Sequence, residues 1–120
     1  MILLDTDICL SLLKGNLKSS EILMLNEDLF CVAECTVQEL YYAANRSSDP
    51  VGNKIIVEKF LLTVRILHSD LAVLRYCADV LLVMKKKGMH KPLSDVMMFS
   101  LSKVYGVRLI TSNGRRYCFT

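Results

Sequence analysis

The amino-acid sequence predicts an α/β protein: one domain over residues 1–120, folded as a three-layer α/β/α sandwich with a short parallel sheet. Three observations carry this. Apolar runs that do not alternate with polar residues recur at residues 1–5, 29–33 and 107–111, as expected of strands buried on both faces. Segments with apolar residues at helical spacing separate them, and strands alternating with helices give parallel sheets. Gly (5) and Pro (2) are scarce among 120 residues, which excludes a turn-dense β-sandwich. A hydrophobic share of 52% against 22% charged residues excludes a disordered chain and supplies a core for one domain.

The elements follow in chain order. Residues 1–5 form a buried strand ending in an acid. Residues 8–13 read as a helix stopped near Gly15, and 19–25 as another. Residues 29–33 are the second strand. Residues 36–45 are helical, with Val37, Leu40, Tyr41 and Ala44 at i, i+3, i+4 and i+7. The polar stretch 45–53 reads as a loop, followed by a helix over 53–66 and a very short strand at 67–68. Asp70 is placed to cap a long helix that ends at Gly88. Pro92 opens the next helix, whose stripe is Leu93, Met97, Leu101 and Val104 and whose stop is Gly106. Residues 107–111 are a strand, and 117–119 begin another.

No segment has the roughly 20 consecutive apolar residues that a membrane helix requires. Residues 71–84 come nearest but contain Arg75 and Asp79. The N-terminal run is interrupted by Asp5 and Asp7 without basic residues before it, so it is not a signal peptide. The five cysteines, Cys9, Cys31, Cys35, Cys77 and Cys118, are odd in number. They read as reduced core thiols of a cytoplasmic protein; no second Cys/His pair accompanies Cys31 and Cys35 at zinc spacing.

The net charge of +3 conceals an asymmetry. Residues 1–84 carry net −4, whereas residues 85–120 carry net +7, with Asp95 as their one acid. A basic segment of this kind suits a polyanionic partner, although Lys85, Lys86 and Lys87 also suit the end of a helix. Ligands of open parallel sheets bind at the carboxyl ends of the strands. Asp5 and Asp7 fall there, as does Asn113, while Glu39 and Asp95 lie near the starts of helices. Each has an ordinary explanation, as a helix cap, a turn residue or a solvated helix position. Together they form a set of carboxylates that a divalent cation would neutralise, and oxygen-only ligands favour Mg²⁺ or Mn²⁺. A hard cation beside a basic surface suits phosphodiester hydrolysis by a metal-activated water.

These residues resemble a known family. MILLDTDICLSLLKG is similar to the opening of PIN-domain proteins of the VapC toxin type. CTVQELYYAANRS resembles their second motif, a Thr-x-x-Glu-Leu helix start followed by an aromatic residue. KPLSDVMMFSLSKVYGVRLITSN resembles the third and fourth: an acid, a helical stretch, Gly, an apolar strand and Thr-x-Asn. The resemblance implies a PIN-like fold and a metal-dependent endoribonuclease, the toxin of a type II toxin–antitoxin pair. Such a protein is inhibited by a small cognate antitoxin and is often a homodimer. Motif by motif, it implies Asp5, Glu39 and Asp95 as the catalytic and Mg²⁺- or Mn²⁺-binding acids. Thr6, Asn113 and Asp7 are secondary, and the basic residues Arg115, Arg116 and Lys91 are candidates for contacting the RNA substrate.

Three departures stand out. No acid follows Asp95, although the family often has a fourth near Thr-x-Asn; Ala43 stands where many members carry Gly; and the sequence given stops at Thr120, sooner than is usual. The alternative reading is therefore a catalytically degenerate PIN-like module that binds RNA or a partner. A haloacid-dehalogenase-type phosphatase also opens with Asp-x-Asp, but it needs Thr or Val where Cys9 stands and a late acidic pair. A phosphoacceptor domain needs a mid-chain strand-end Asp, and the one Asp there, Asp49, precedes Pro50 in the loop.

Overall fold

The computed structural model describes residues 1–15 and 29–111. Its elements are β1 (Ile2–Leu4), α1 (Thr6–Leu13), β2 (Phe30–Ala33), α2 (Glu34–Asn45), α3 (Pro50–Leu61), β3 (Arg65–Leu67), α4 (Leu71–Lys86), α5 (Leu93–Tyr105) and β4 (Arg108–Ile110). The expected helix at 19–25 and strand at 117–119 lie outside the described residues.

The four strands form one sheet in the order β3-β2-β1-β4. All three pairings are parallel, with Leu3 opposite Cys31 and Leu109, and Val32 opposite Ile66. Alternate residues of β1 and β2 point to opposite faces, and both faces are covered. Ile2, Leu4 and Val32 pack with Ile8, Cys9, Leu40, Ala44 and Val57 from α1, α2 and α3. Leu3, Cys31 and Ala33 pack with Val73, Met98 and Leu101 from α4 and α5. A third small cluster, Cys77, Met84 and Val96, joins α4 to α5. The three-layer α/β/α sandwich is thus present, and it explains why the inner strands β1 and β2 read as unbroken apolar runs.

Local signals place the helix ends. Asp49 Oδ1 accepts from the Gly52 N–H at 3.1 Å, and Asp70 Oδ1 accepts from the Val73 N–H at 3.0 Å. Both aspartates are thus the N-caps of their helices. Gly106, at φ +64°, ends α5 in the left-handed conformation that favours glycine.

Three local expectations are corrected. The loop at 45–53 is shorter, because α2 runs to Asn45 and α3 begins at Pro50 behind the Asp49 cap. The helix expected to reach residue 66 ends at Leu61, and Arg65–Leu67 pair with β2 as a strand. The stripe of α5 is also shifted: Leu93 is exposed, whereas Val96, Met98 and Leu101 are buried. This helix meets the sheet on one side and α4 on the other, so it buries a wider arc than one stripe. Cys9, Cys31 and Cys77 are buried free thiols and Cys35 is half-buried, in line with the core reading; Cys118 lies outside the described residues.

Candidate active site

Asp5 terminates the central strand and is completely buried. Its backbone is extended, its N–H donates to the Ile110 carbonyl at 3.1 Å, and its own carbonyl accepts from the Cys9 N–H at 3.1 Å. The carboxylate is held from two sides. Oδ1 accepts from the Ile8 N–H at 2.9 Å, which makes Asp5 the N-cap of α1, and Oδ2 accepts from the Thr111 hydroxyl. The capping role and the site role therefore coincide in one side chain. Asp7 is half-buried in the first turn of α1. It is Asp5 that caps this helix.

Thr6 and Thr36 join this strand end to α2. Both are buried, and their Oγ1 atoms lie 3.1 Å apart across 30 residues of sequence. The sequence motifs include Thr36 and Thr111 but single out only Thr6 for a role at the site. Their signal was weak but present: each is a threonine at or just beyond a strand end, where a short hydroxyl can reach a neighbouring loop.

Glu39 lies one turn beyond Thr36 on α2 and is exposed; Asp95 lies in the first turn of α5 and is buried. Cys35 stands between them. Its Sγ is 4.0 Å from the Ser94 carbonyl oxygen. Burial, then the negative charge of Glu39 and more weakly that of Asp95, push this thiol up to about 11. Both carboxylates thus act on the same sulfur. Cys9 is pushed up to about 12, by burial first and then by the Asp5 charge. Neither thiol is ionised near neutral pH, so neither is a reactive nucleophile.

An open groove of about 760 Å³ runs along α2, lined by Cys35, Gln38, Glu39, Tyr41, Tyr42, Asn45 and Ser94. Lys91 is half-buried just before Pro92. Lys85, Lys86 and Lys87 occupy the last turn and C-cap of α4, where cations meet the negative end of the helix dipole. Asn113, Arg115 and Arg116 lie outside the described residues.

The carboxylates of Asp5, Glu39 and Asp95 offer oxygen ligands, which suit a hard cation in kind, and the nearby thiols of Cys9 and Cys35 stay protonated. Among the described residues, no three His, Cys, Asp or Glu side chains are gathered closely enough to hold a metal ion. The set matches a divalent cation in chemistry but does not form a closed ligand cage.

The PIN domain family model matches residues 2–119. The chain belongs to the PIN-domain family. Among curated relatives, this PIN domain is 27% identical over 116 residues to a tRNA(fMet)-specific endonuclease VapC from Shigella flexneri, covering 96% of this chain and 88% of that protein. It is 28% identical over 118 residues to ribonuclease VapC2 from Haemophilus influenzae, with the same coverage of 96% and 88%. Among solved structures, DNA-bound VapBC from Salmonella typhimurium superposes with a TM-score of 0.89 at 26% identity, covering 97% of this chain and 89% of that one. VapBC-1 from nontypeable Haemophilus influenzae shares the fold, with a TM-score of 0.84 at 22% identity, covering 98% of this chain and 90% of that one.

Proposed function

We propose that this PIN domain is an endoribonuclease, the toxin of a toxin–antitoxin pair, which cleaves RNA phosphodiesters with a divalent cation held by Asp5, Glu39 and Asp95. The observation that carries the reading is the fully buried Asp5 carboxylate at the end of the central strand, fixed by the Ile8 N–H and the Thr111 hydroxyl. A buried carboxylate is costly unless its charge is compensated, and a cation at the mouth of the site would complete that compensation. The curated relatives named as VapC ribonucleases support the reaction, and the VapBC complexes among the solved neighbours support a small antitoxin as partner.

Bound Mg²⁺ or Mn²⁺ would offset charge on the scissile phosphate and polarise the attacking water. The chain's own residues do the rest. Ile8 and Thr111 hold Asp5 in one orientation. The Thr6–Thr36 contact fixes α2, and with it Glu39, against the end of β1. Asp95 contributes a carboxylate from α5, and Lys91, Arg115 and Arg116 draw the RNA backbone in. Asp7, in the first turn of α1, adds a further carboxylate beside Asp5. An antitoxin arginine would inhibit by pairing with the same carboxylates, since a guanidinium engages two oxygens at once.

A non-cleaving module is the second reading, favoured by the absence of a gathered three-acid group among the described residues. Incubation of the purified chain with single-stranded RNA, with EDTA or with added Mg²⁺ or Mn²⁺, separates the two. Metal-dependent cleavage that Asp95→Asn abolishes supports the enzyme. RNA binding without cleavage under every metal condition supports the module.

A further inference from the structure

The exposed ring of Tyr42 has no part in the chemistry described so far. It is 59% exposed, in contrast to its neighbour Tyr41, which packs against the core. Residues three and four apart are neighbours on a helix surface, with Cβ atoms about 5–6 Å apart. Tyr42 therefore stands at the centre of a patch made by Gln38, Glu39, Asn45 and Arg46. The first three line the same groove as Tyr42 itself. The Arg46 guanidinium lies over the Tyr42 ring, with Cζ 5.4 Å from the centroid.

We infer that Tyr42 is a stacking platform for one unpaired nucleobase of the RNA, next to the scissile phosphate, and that it contributes to sequence preference. The inference rests on the reading of this groove as an RNA-cleaving site. Four features favour a nucleobase. An aromatic ring presented to solvent offers a π-face to a base. The Arg46 cation lies over one face of the ring, where it suits the phosphate of the same nucleotide while the base takes the other face. The amides of Gln38 and Asn45 each provide donors and an acceptor for the edge of a base. Glu39, one of the proposed acids, is an adjacent neighbour on the same helix, so a base on Tyr42 belongs to a nucleotide close to the cleavage point. The groove opens to solvent, and recognition of splayed-out bases is the usual route to sequence preference in RNA.

The test uses the full chain carrying Asp95→Asn, to prevent cleavage, and single-stranded RNA oligonucleotides with 2-aminopurine placed at successive positions. The protein has no tryptophan, so the base analogue can be excited without interference. Fluorescence quenching at one position, lost in Tyr42→Ala and recovered in Tyr42→Phe, is the expected result. Affinity for the same RNA should fall about tenfold in Tyr42→Ala. In the cleaving background, Tyr42→Ala should narrow the ratio of kcat/KM between favoured and disfavoured sequences.

Equal quenching and affinity in Tyr42→Ala would overturn the inference, as would a Tyr42→Phe protein as impaired as Tyr42→Ala. So would loss of affinity for a peptide partner with RNA binding intact, which would make this patch a protein contact. If the wild-type protein fails to cleave RNA while the quenching still depends on Tyr42, the nuclease reading fails and the stacking platform stands.

Discussion

The hydroxyls of Thr6 and Thr36 face each other at 3.1 Å in the interior, one on the first residue of α1 and the other in the first turn of α2. This is the direct polar link between the strand end that carries Asp5 and the helix that carries Glu39.

Replacing Thr36 with Val keeps the shape and deletes one partner, leaving a buried hydroxyl unpaired. The cost is expected at about 1–3 kcal/mol, read from denaturant unfolding. The Thr6→Val/Thr36→Val double variant should lose less than the sum of the single variants, because the second change removes the group that the first one orphaned.

Asp5 carries two roles that substitution can separate. Asn caps a helix about as well as Asp, so Asp5→Asn should leave stability within about 1 kcal/mol while RNA cleavage disappears. Asp5→Ala removes the cap as well and should cost about 0.5–2 kcal/mol. Parallel thermal unfolding and cleavage assays check both.

Thr111 supports Asp5 from β4. Thr111→Val removes that hydrogen bond without touching a proposed ligand. Apparent affinity for Mn²⁺, followed by titrating cleavage against metal concentration, is expected to drop by about 10–100-fold.

The basic residues should act on RNA and not on metal. With Arg115→Ala/Arg116→Ala, the slope of log binding constant against log salt should become shallower by about 1.4, two charges at roughly 0.7 each for a single strand. Metal titration of this variant should match wild type.

Acid sensitivity has a local source beyond β3, the strand at the far edge of the sheet from β4. The Asp70 carboxyl is held below its ordinary value, first by the Val73 N–H and then by the Tyr105 hydroxyl, which donates to Oδ2 at 2.8 Å. A carboxyl depressed in the folded state stabilises the fold above its unfolded value of 3.8 and loses that contribution as pH falls through its folded value. Tyr105→Phe should raise the Asp70 value toward ordinary, as seen by NMR titration of the carboxyl, and so shrink the contribution that acid removes.

Much of the architecture was legible because burial on both faces leaves an unmistakable pattern. The runs around Leu3 and Val32 carry no polar alternation, and Asp70 and Gly106 are start and stop signals that work locally. The errors arose where local signals competed. At 45–53 the polar composition masked the cap-plus-proline start at Asp49–Pro50, with Gly52 beneath it. At 62–67 a helical run of apolar residues concealed a strand whose identity depends on pairing with β2. The candidate site is read from the sequence as residue types in order. Its supports are not, since Thr36 and Thr111 become partners of Thr6 and Asp5 only when distant segments meet.

The position of β1 has a consequence for biosynthesis. This strand is made first yet lies between β2 and β4, and the Asp5–Thr111 hydrogen bond spans 106 residues. Such long-range pairings form slowly and only once both segments exist. While the ribosome is still delivering α4 and α5, the nascent chain has an acidic strand end with no β4 to lock it. Translation must pass residue 111 before Asp5 can acquire its second hydrogen bond, so a nuclease built on this site stays unassembled until β4 has been made, and a co-translated inhibitor has that interval in which to arrive.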